Sequence, residues 1–250
     1  MEVVFLGSAG SLPIPSCPLT SVYVDGYLLD CGFGVPLQLI KAGLIDDVEV
    51  VAVTHLHPDH FGGVLELIWT YYLRKRGKEL CIVGPRGIKR AISNAMSSVA
   101  FGLGELPFEL NIVEVTPGQT FRRLTVAQAL HSVEPSFAFR VEGRKALVYS
   151  GDTSPAESVL ELAEGAYLLI HEATFPSGME DEAHKVGHST PREVGKLAKR
   201  AGVKLLALVH LPYYAVSDPE SLRSRFVREA LEVFDGEVFV PEALTTLGMA

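Results

Sequence analysis

The sequence predicts an α/β fold in which two β-sheets pack together and carry helices on their outer faces. Short apolar runs, many of them β-branched, recur in both halves of the chain and are bounded by Gly, Pro or Asp. Such runs favour strands over helices. Helix-start signals fall between the runs, which is typical of layered α/β architectures. Periodicity alone leaves a single doubly wound sheet open as the alternative.

The predicted strands are spread over the whole chain, with no low-complexity segment, linker or short repeat between them. They cover Val3 to Leu6, Val22 to Val24, Tyr27 to Leu29, Val48 to Val53, Leu80 to Val83, Ile112 to Val115, Leu124 to Val126, Phe137 to Val141, Ala146 to Tyr149, Tyr167 to Ile170, Leu205 to Val209 and Val238 to Val240. We therefore expect residues 1–250 to form a single domain.

Four helices are predicted from their start and stop signals. Thr190-Pro191-Arg192-Glu193 has the pattern of a capping box and opens a helix that runs to Arg200 and stops at Gly202. Ser217-Asp218-Pro219-Glu220 carries similar signals before Leu222, Phe226, Leu231 and Phe234. A third helix is expected after His60; it ends near Gly77 and buries Val64, Leu65, Ile68 and Leu73. A fourth is expected over Gly87 to Ala100.

Composition separates this chain from several classes of protein. Hydrophobic residues make up 48% of it, enough for a sizeable core, which argues against disorder. The formal net charge of −8 does not favour a protein that acts mainly by neutralising nucleic-acid phosphates. The densest basic run, Arg74 to Lys78, is interpreted as favourable charge at a helix C-terminus. The overall charge does not exclude a local basic groove that binds nucleic acid.

The cysteines and the N-terminus predict a cytoplasmic protein. Cys17, Cys31 and Cys81 are odd in number and lack C-x-x-C spacing, which favours reduced thiols over a disulfide framework. The N-terminal apolar run is too short for a signal peptide, and no apolar stretch approaches the roughly 20 residues of a membrane helix. The sequence does not indicate the oligomeric state, so it does not exclude a homo-oligomer.

The segment from His55 to His60 predicts a metal site. An apolar strand ends at Thr54, and His55, His57, Asp59 and His60 follow directly in the turn before a helix. His55 and His57 are two residues apart and face the same way in extended chain, whereas the next two residues face a second point. Imidazole suits zinc and related first-row metals, and a carboxylate adds charge compensation.

This segment reads H-x-H-x-D-H and resembles the hallmark of the metallo-β-lactamase superfamily. Three further family positions follow in the right order, each after an apolar strand: His131, Asp152 and His210. The resemblance implies an αββα sandwich with the site at one edge. It assigns one metal to His55, His57 and His131, the second to Asp59, His60 and His210, and Asp152 to both. Zinc is the expected metal, with manganese or iron as alternatives.

Two more stretches resemble the ribonuclease Z-like branch of that superfamily. His171-Glu172-Ala173-Thr174-Phe175 matches its H-E-A-T-F segment, and His188-Ser189-Thr190 matches its H-S-T loop. The resemblance gives His188 a catalytic role, and Asp59 a role in orienting or deprotonating the nucleophilic water besides binding metal. It implies hydrolysis of a phosphodiester, in RNA or a nucleotide, by a metal-activated hydroxide. His171 and Glu172 are expected to support the site.

The chain departs from that branch in two places. Transfer-RNA-processing members carry a protruding arm between the positions matching His131 and Asp152, but only 20 residues separate them here, enough for two strands and a turn. The branch's D-C-G-E-G segment reads Asp30-Cys31-Gly32-Phe33-Gly34 and lacks the acidic residue. With the acidic net charge, these departures argue against transfer-RNA processing and leave phosphodiester chemistry intact.

Two other functions use the same residues. A thioester or lactone hydrolase needs the same Lewis-acid site, and the H-S-T loop is what favours a phosphodiesterase over it. A non-catalytic metal- or ligand-binding protein is the third hypothesis, and the full ligand set argues against it.

Overall fold

The computed structural model describes residues 1–99 and 102–249 of the protein, and this part contains fourteen β-strands. In chain order they are β1 Glu2–Gly7, β2 Ser21–Val24, β3 Tyr27–Leu29, β4 Val50–Ala52, β5 Leu80–Gly84, β6 Leu110–Glu114, β7 Thr120–Phe121, β8 Leu124–Gln128, β9 Phe137–Val141, β10 Leu147–Tyr149, β11 Leu168–Glu172, β12 Leu205–Val209, β13 Glu237–Phe239 and β14 Thr245–Gly248.

The strands form two mixed sheets of seven, with the orders β14-β1-β2-β3-β4-β5-β6 and β13-β12-β11-β10-β9-β8-β7. From β3 to β6 and from β10 to β13 neighbouring strands are parallel, and the other pairs are antiparallel. The two packed sheets confirm the predicted fold class, and the single doubly wound sheet is excluded.

The strands read as continuous apolar runs because both faces of each sheet are covered. In β1, Val3 and Phe5 lie in the core between the sheets, whereas Val4 and Leu6 lie in the core between their sheet and its helices. All four side chains are at most 4% exposed. A strand buried on both faces loses the polar alternation of a half-exposed strand, which is why apolarity and length are the strand signals in this chain.

Eight α-helices in the described residues form the outer layers. They are α1 Val35–Ala42, α2 Pro58–Phe61, α3 Gly63–Leu73, α4 Ile88–Val99, α5 Glu157–Ala163, α6 Glu180–Lys185, α7 Pro191–Ala201 and α8 Pro219–Leu231. Helices α1, α3 and α4 pack on the sheet that contains β1, and α5, α7 and α8 pack on the other. None of the helices in residues 1–99 and 102–249 has the length and apolarity needed to cross a bilayer.

Several element predictions need correction. In place of the single helix predicted after His60 there are two, α2, which already contains His60, and α3, which ends at Leu73 rather than near Gly77. The buried side of α3 includes Leu67 and Tyr71. Leu73, predicted buried, is 61% exposed, and Leu231 is 46% exposed, because each lies at the C-terminal end of its helix. The strand predicted over Val48 to Val53 is restricted to β4, and Ala100 lies outside the described residues.

The sequence-based assignment missed α1, α5 and α6, and the short strands β7 and β14. None of these three helices has a side-chain N-cap, the feature on which helix starts were recognised. The prediction that two strands and a turn fill the interval from His131 to Asp152 is confirmed, since β9 and β10 form a hairpin there.

Parallel strands end at a common sheet edge, and this arrangement positions the predicted site. Asp30 follows β3, His55 follows β4 closely, Asp152 follows β10, and His210 follows β12 directly. The carboxyl ends of both sheets therefore bring polar side chains from distant parts of the chain to one edge of the sandwich.

Candidate metal centre

Three histidines from two loops converge at this edge. His57 Nδ1 lies 3.0 Å from His55 Nε2 and 3.2 Å from His131 Nε2. The three nitrogen atoms lie within 4.8 Å of one another. The turn after β4 supplies the first two histidines, and the chain beyond β8 supplies the third, so both sheets contribute.

A second group of four side chains lies beside the first and contains Asp59, His60, Asp152 and His210. His210 Nε2 lies 3.3 Å from Asp59 Oδ2 and 3.3 Å from Asp152 Oδ2. His60 Nε2 lies 3.2 Å from Asp152 Oδ2. The same Asp152 oxygen is 3.9 Å from the Nε2 atoms of both His55 and His131. Asp152 therefore stands between the two groups.

These spacings fit divalent metal ions. A tetrahedral shell with bonds near 2.1 Å places its ligand atoms about 3.4 Å apart, close to the separations within each group. Two buried atoms, His60 Nε2 and Asp152 Oδ1, have no hydrogen-bond partner among the described residues. Because buried polar atoms are rarely left unpaired, these two acceptor atoms fit a site that binds a cation.

The first group has the protonation state that metal binding requires. Burial lowers the pKa of His55, His57 and His131, in each case as the largest influence. The histidines therefore stay neutral at physiological pH and keep a ring lone pair free. Neutral imidazole is the form of histidine that binds metal ions.

The two carboxylates of the second group stay ionised although both are mostly buried. Burial raises the pKa of Asp152, but its electrostatic interactions with His210 and His60 outweigh burial and lower the pKa well below the ordinary value. For Asp59, burial is again outweighed, here by the interactions with the adjacent rings of His210 and His60, and its pKa is lowered. The group thus offers two negative charges to a cation.

A buried aspartate orients His60. Asp30 Oδ2 lies 2.7 Å from His60 Nδ1 and accepts a hydrogen bond from the Tyr149 hydroxyl at 2.8 Å. Asp30 Oδ1 accepts from the Thr54 backbone N–H at 2.7 Å. Since a carboxylate can only accept, His60 Nδ1 carries the proton and Nε2 points toward Asp59 and Asp152.

Two other histidines are oriented in the same way. His131 Nδ1 donates to the Gly187 carbonyl at 2.9 Å, which leaves its Nε2 facing the first group. The Thr174 hydroxyl donates to Glu172 Oε2 at 2.8 Å, so its oxygen accepts from His210 Nδ1 at 2.9 Å. Hydrogen bonds on the distal ring nitrogen fix the tautomer and direction of metal-binding histidines.

His188 lies next to both groups without belonging to the seven predicted ligands. Its ring stacks on that of His210 with centroids 5.5 Å apart, and its Nδ1 lies 3.0 Å from Glu172 Oε1. Burial lowers the pKa of His188, but the charge of Glu172 and the hydrogen bond to it outweigh burial and raise the pKa to about 9. The side chain is therefore an imidazolium at neutral pH.

Glu172 holds this part of the site together. Its carboxylate is 1% exposed and accepts hydrogen bonds from the backbone N–H groups of Thr153, Thr174 and Ser189 at 2.9–3.2 Å. It also contacts the His188 ring described above. His171 points elsewhere, since its Nδ1 bonds to the Glu172 carbonyl and its buried Nε2 has no partner among the described residues.

Comparison with known proteins identifies the family. A model described as the beta-lactamase superfamily domain matches residues 26–211, most of the chain. The chain belongs to the metallo-β-lactamase superfamily. Within that superfamily it is 34% identical to the ribonuclease Z of Ignicoccus hospitalis over 263 residues, covering 83% of this chain and 86% of the relative. It is 35% identical to that of Methanothermobacter thermautotrophicus over 268 residues, with coverages of 84% and 86%. Its place is the ribonuclease Z-like branch.

Solved structures agree with this placement. Human tRNase Z, short form, is 26% identical, covers 100% of both chains and has a TM-score of 0.81. The metallo-β-lactamase fold protein YhfI from Bacillus subtilis is 24% identical, covers 98% of both chains and has a TM-score of 0.80, which supports the fold.

The structure brings together the seven predicted ligands, His188 and Glu172, whereas His171, which was expected to support the site, belongs to none of these groups of side chains. The seven predicted ligands and His188 all lie at one sheet edge; their roles as ligands or catalyst stay predictions. The roles of Asp30, Thr174 and Tyr149 were missed. For Asp30 one signal was present, because it opens the Asp30-Cys31-Gly32-Phe33-Gly34 segment that resembles the D-C-G-E-G segment of the branch. Its φ of 59° is uncommon for an aspartate.

Replacing Asp30 tests its orienting role. We expect Asp30→Asn to weaken metal affinity by about 10- to 100-fold, as loss of such supporting carboxylates does. The asparagine side-chain nitrogen is a donor and would face one of the donors of His60, Tyr149 or Thr54. One hydrogen bond is then lost, and the His60 ring is no longer held in one orientation. Competition with a chelator measures the affinity, and exposed Asp47→Asn is the control. Unchanged affinity in Asp30→Asn would contradict the role.

Proposed function

We propose that this protein is a ribonuclease Z-like phosphodiesterase that cleaves RNA with the help of two divalent metal ions. The observation that carries the proposal is the position of His188, a charged imidazolium, directly beside two groups of metal-binding side chains. A nucleophile can be generated at the metal groups while His188 supplies a proton next to them. We further propose that residues 1–250 form one domain.

We assign one metal to His55, His57 and His131 and the second to Asp59, His60 and His210, with Asp152 shared. Imidazole and carboxylate ligands in this mixture suit zinc first, with manganese and iron as alternatives. When bound, the two ions supply Lewis-acid catalysis, which makes a water molecule acidic near neutral pH and offsets charge on phosphate oxygens.

Asp59 orients the attacking water in this proposal. Its Oδ2, the same atom that lies 3.3 Å from His210 Nε2, also accepts a hydrogen bond from the Ser11 backbone N–H at 3.1 Å, which fixes the carboxylate at the site. With its lowered pKa it remains a carboxylate, and it accepts a hydrogen bond from water at the centre. Asp59 is 14% exposed, more than Asp152 at 3%, which fits contact with solvent.

His188 stabilises the developing charge of the phosphate or protonates the leaving oxygen. Glu172 Oε1 accepts a hydrogen bond from the Nδ1–H of His188, so Nε2–H is the proton that remains available to a substrate. The leaving oxygen of an RNA diester is a poor leaving group without a proton. An acid in this position is therefore worth about 10²- to 10⁴-fold in rate.

RNA is the favoured substrate class because the relatives at 34–35% identity are ribonucleases Z. A thioester or lactone hydrolase is less favoured, since the same relatives do not point to carbonyl substrates. The acidic net charge of −8 and the short β9–β10 hairpin set this chain apart from arm-bearing transfer-RNA processing enzymes. Phosphodiester hydrolysis in RNA does not require that arm.

We place the protein in the cytoplasm. Its three cysteines, Cys17, Cys31 and Cys81, are free and buried, and burial raises the pKa of the Cys31 and Cys81 thiols. Buried thiols of raised pKa are poorly reactive and persist in a reducing compartment.

Hydrolysis of bis(p-nitrophenyl) phosphate tests the proposal. Protein stripped of metal should be inactive, because the side chains alone cannot activate water. Addition of zinc or manganese should restore turnover. Metal content is measured on the same samples by elemental analysis. If both sites are filled and the protein hydrolyses a thioester but no phosphodiester, the proposal is wrong.

A further inference from the structure

We propose that an open cavity at the β9–β10 hairpin binds phosphate groups of the RNA at a distance from the metal centre. The cavity has a volume of about 410 Å³, and four basic side chains line it: Arg140, Arg144, Lys145 and Lys204. Glu142 is the one acidic residue among its lining residues. This inference rests on the proposed function for the identity of the polyanion.

Most of the positive charge in the cavity is free to meet a ligand. Arg140 neutralises Glu142, with Nε 2.6 Å from Oε1, and also donates to the carbonyls of Leu162 and Glu164. Lys145 Nζ lies 4.0 Å from the centre of the Tyr167 ring, which holds the side chain at the cavity. Within the described residues, Arg144 and Lys204 are exposed and form no ion pair.

This surplus of cations contrasts with the rest of the protein. The chain carries a net charge of −8, so a polyanion is repelled by most of the surface and directed to the few cationic regions. Arginine and lysine side chains are the usual partners of nucleic-acid phosphates and need no particular base sequence. A negatively charged protein that handles RNA therefore needs a local site of this kind.

The cavity lies at the edge of the sandwich opposite the metal centre. Ala146 lines the cavity and Asp152 lies at the centre, six residues along the chain. At about 3.3 Å per extended residue, the two sites are roughly 20 Å apart. A dinucleotide cannot contact both, whereas a longer single strand can.

Helix α7 connects the two sites over the surface. It begins at Pro191, three residues after His188, and is followed by Gly202, which lines the cavity. Lys196, Lys199 and Arg200 are exposed along it; the last two form ion pairs only with exposed carboxylates, which are weak. Single-stranded RNA that follows α7 passes basic side chains from the centre to the cavity.

Charge reversal at the cavity tests the inference. We compare Arg144→Glu/Lys204→Glu with the matched control Lys41→Glu/Lys75→Glu. Both control lysines are exposed, one in α1 and one just after α3, and the total charge change is the same. Both pairs are made in the metal-loaded His188→Ala protein to slow cleavage. Binding of a labelled single-stranded RNA is measured by fluorescence anisotropy at several salt concentrations.

The cavity variant should bind the RNA about tenfold more weakly, and the slope of log affinity against log salt should fall by about 1 for each phosphate that is no longer neutralised. The control should change the affinity much less. In the enzyme with His188 intact, Arg144→Glu/Lys204→Glu should raise KM for the long RNA and leave dinucleotide hydrolysis unchanged.

Equal weakening by the control pair, or an unchanged salt slope in the cavity variant, would overturn the inference. Displacement of the labelled RNA by tripolyphosphate at concentrations well below those at which unlabelled RNA displaces it would also overturn the inference, since the cavity would then serve a small phosphorylated ligand. Failure of the proposed function can be distinguished from failure of this inference. If the wild-type protein hydrolyses no phosphodiester but RNA binding still depends on Arg144 and Lys204, the cavity assignment stands without it.

Discussion

Asp152→Asn should lower kcat/KM for a phosphodiester by more than about 10³-fold, because loss of supporting residues alone already costs about 10- to 100-fold. The substitution keeps the shape of the side chain and removes its charge. One Asp152 oxygen lies 3.2–3.9 Å from ring nitrogens of both ligand groups. Among the described residues, no other carboxylate lies this close to histidines of both groups, so both metals should be bound more weakly.

Elemental analysis and kinetics on the same preparation check this expectation. Asp181→Asn, an exposed aspartate in α6, is the matched control and should behave as wild type. Circular dichroism then tests whether the variant is folded, so that loss of metal is not confused with unfolding. Full metal content with near-normal turnover in Asp152→Asn would show that Asp152 is not a shared ligand.

The convergence of the seven predicted ligands could be anticipated from the sequence because most of them are close together in the chain. Four of them lie between His55 and His60, in the turn that follows a strand. The other three each follow an apolar strand, and parallel strands end at one edge. A histidine or aspartate directly after such a strand therefore carries positional information that the same residue in a random loop does not.

The supporting residues and the basic cavity could not be predicted in the same way. Asp30 meets His60 from a separate loop, and their partnership depends on the register of β3 against β4. The cavity combines residues 140–145 with residue 204, which come together only because β10 and β11 pair and β11 pairs with β12. The densest basic run of the sequence, Arg74 to Lys78, is elsewhere and contributes nothing to it.

His188→Ala should reduce kcat by about 10²- to 10⁴-fold while metal content stays that of wild type. The side chain is outside the seven-ligand set, so its removal should not open either metal site. His184→Ala is the matched control, because His184 lies in the preceding helix, is 43% exposed and pairs with Glu193. Loss of metal in His188→Ala would assign it a ligand role instead, and unchanged turnover would remove it from the mechanism.

The pH profile separates a proton donor from a merely structural histidine. With a pKa of about 9, His188 is protonated below that pH and loses its proton above it, so kcat should fall as the pH rises through about 9. Glu172→Gln removes the negative charge that raises the pKa, while burial, which lowers it, remains. The descending limb should therefore move to lower pH in Glu172→Gln. A limb that stays in place in this variant would show that another group titrates, and that Glu172 does not set the proton affinity of His188.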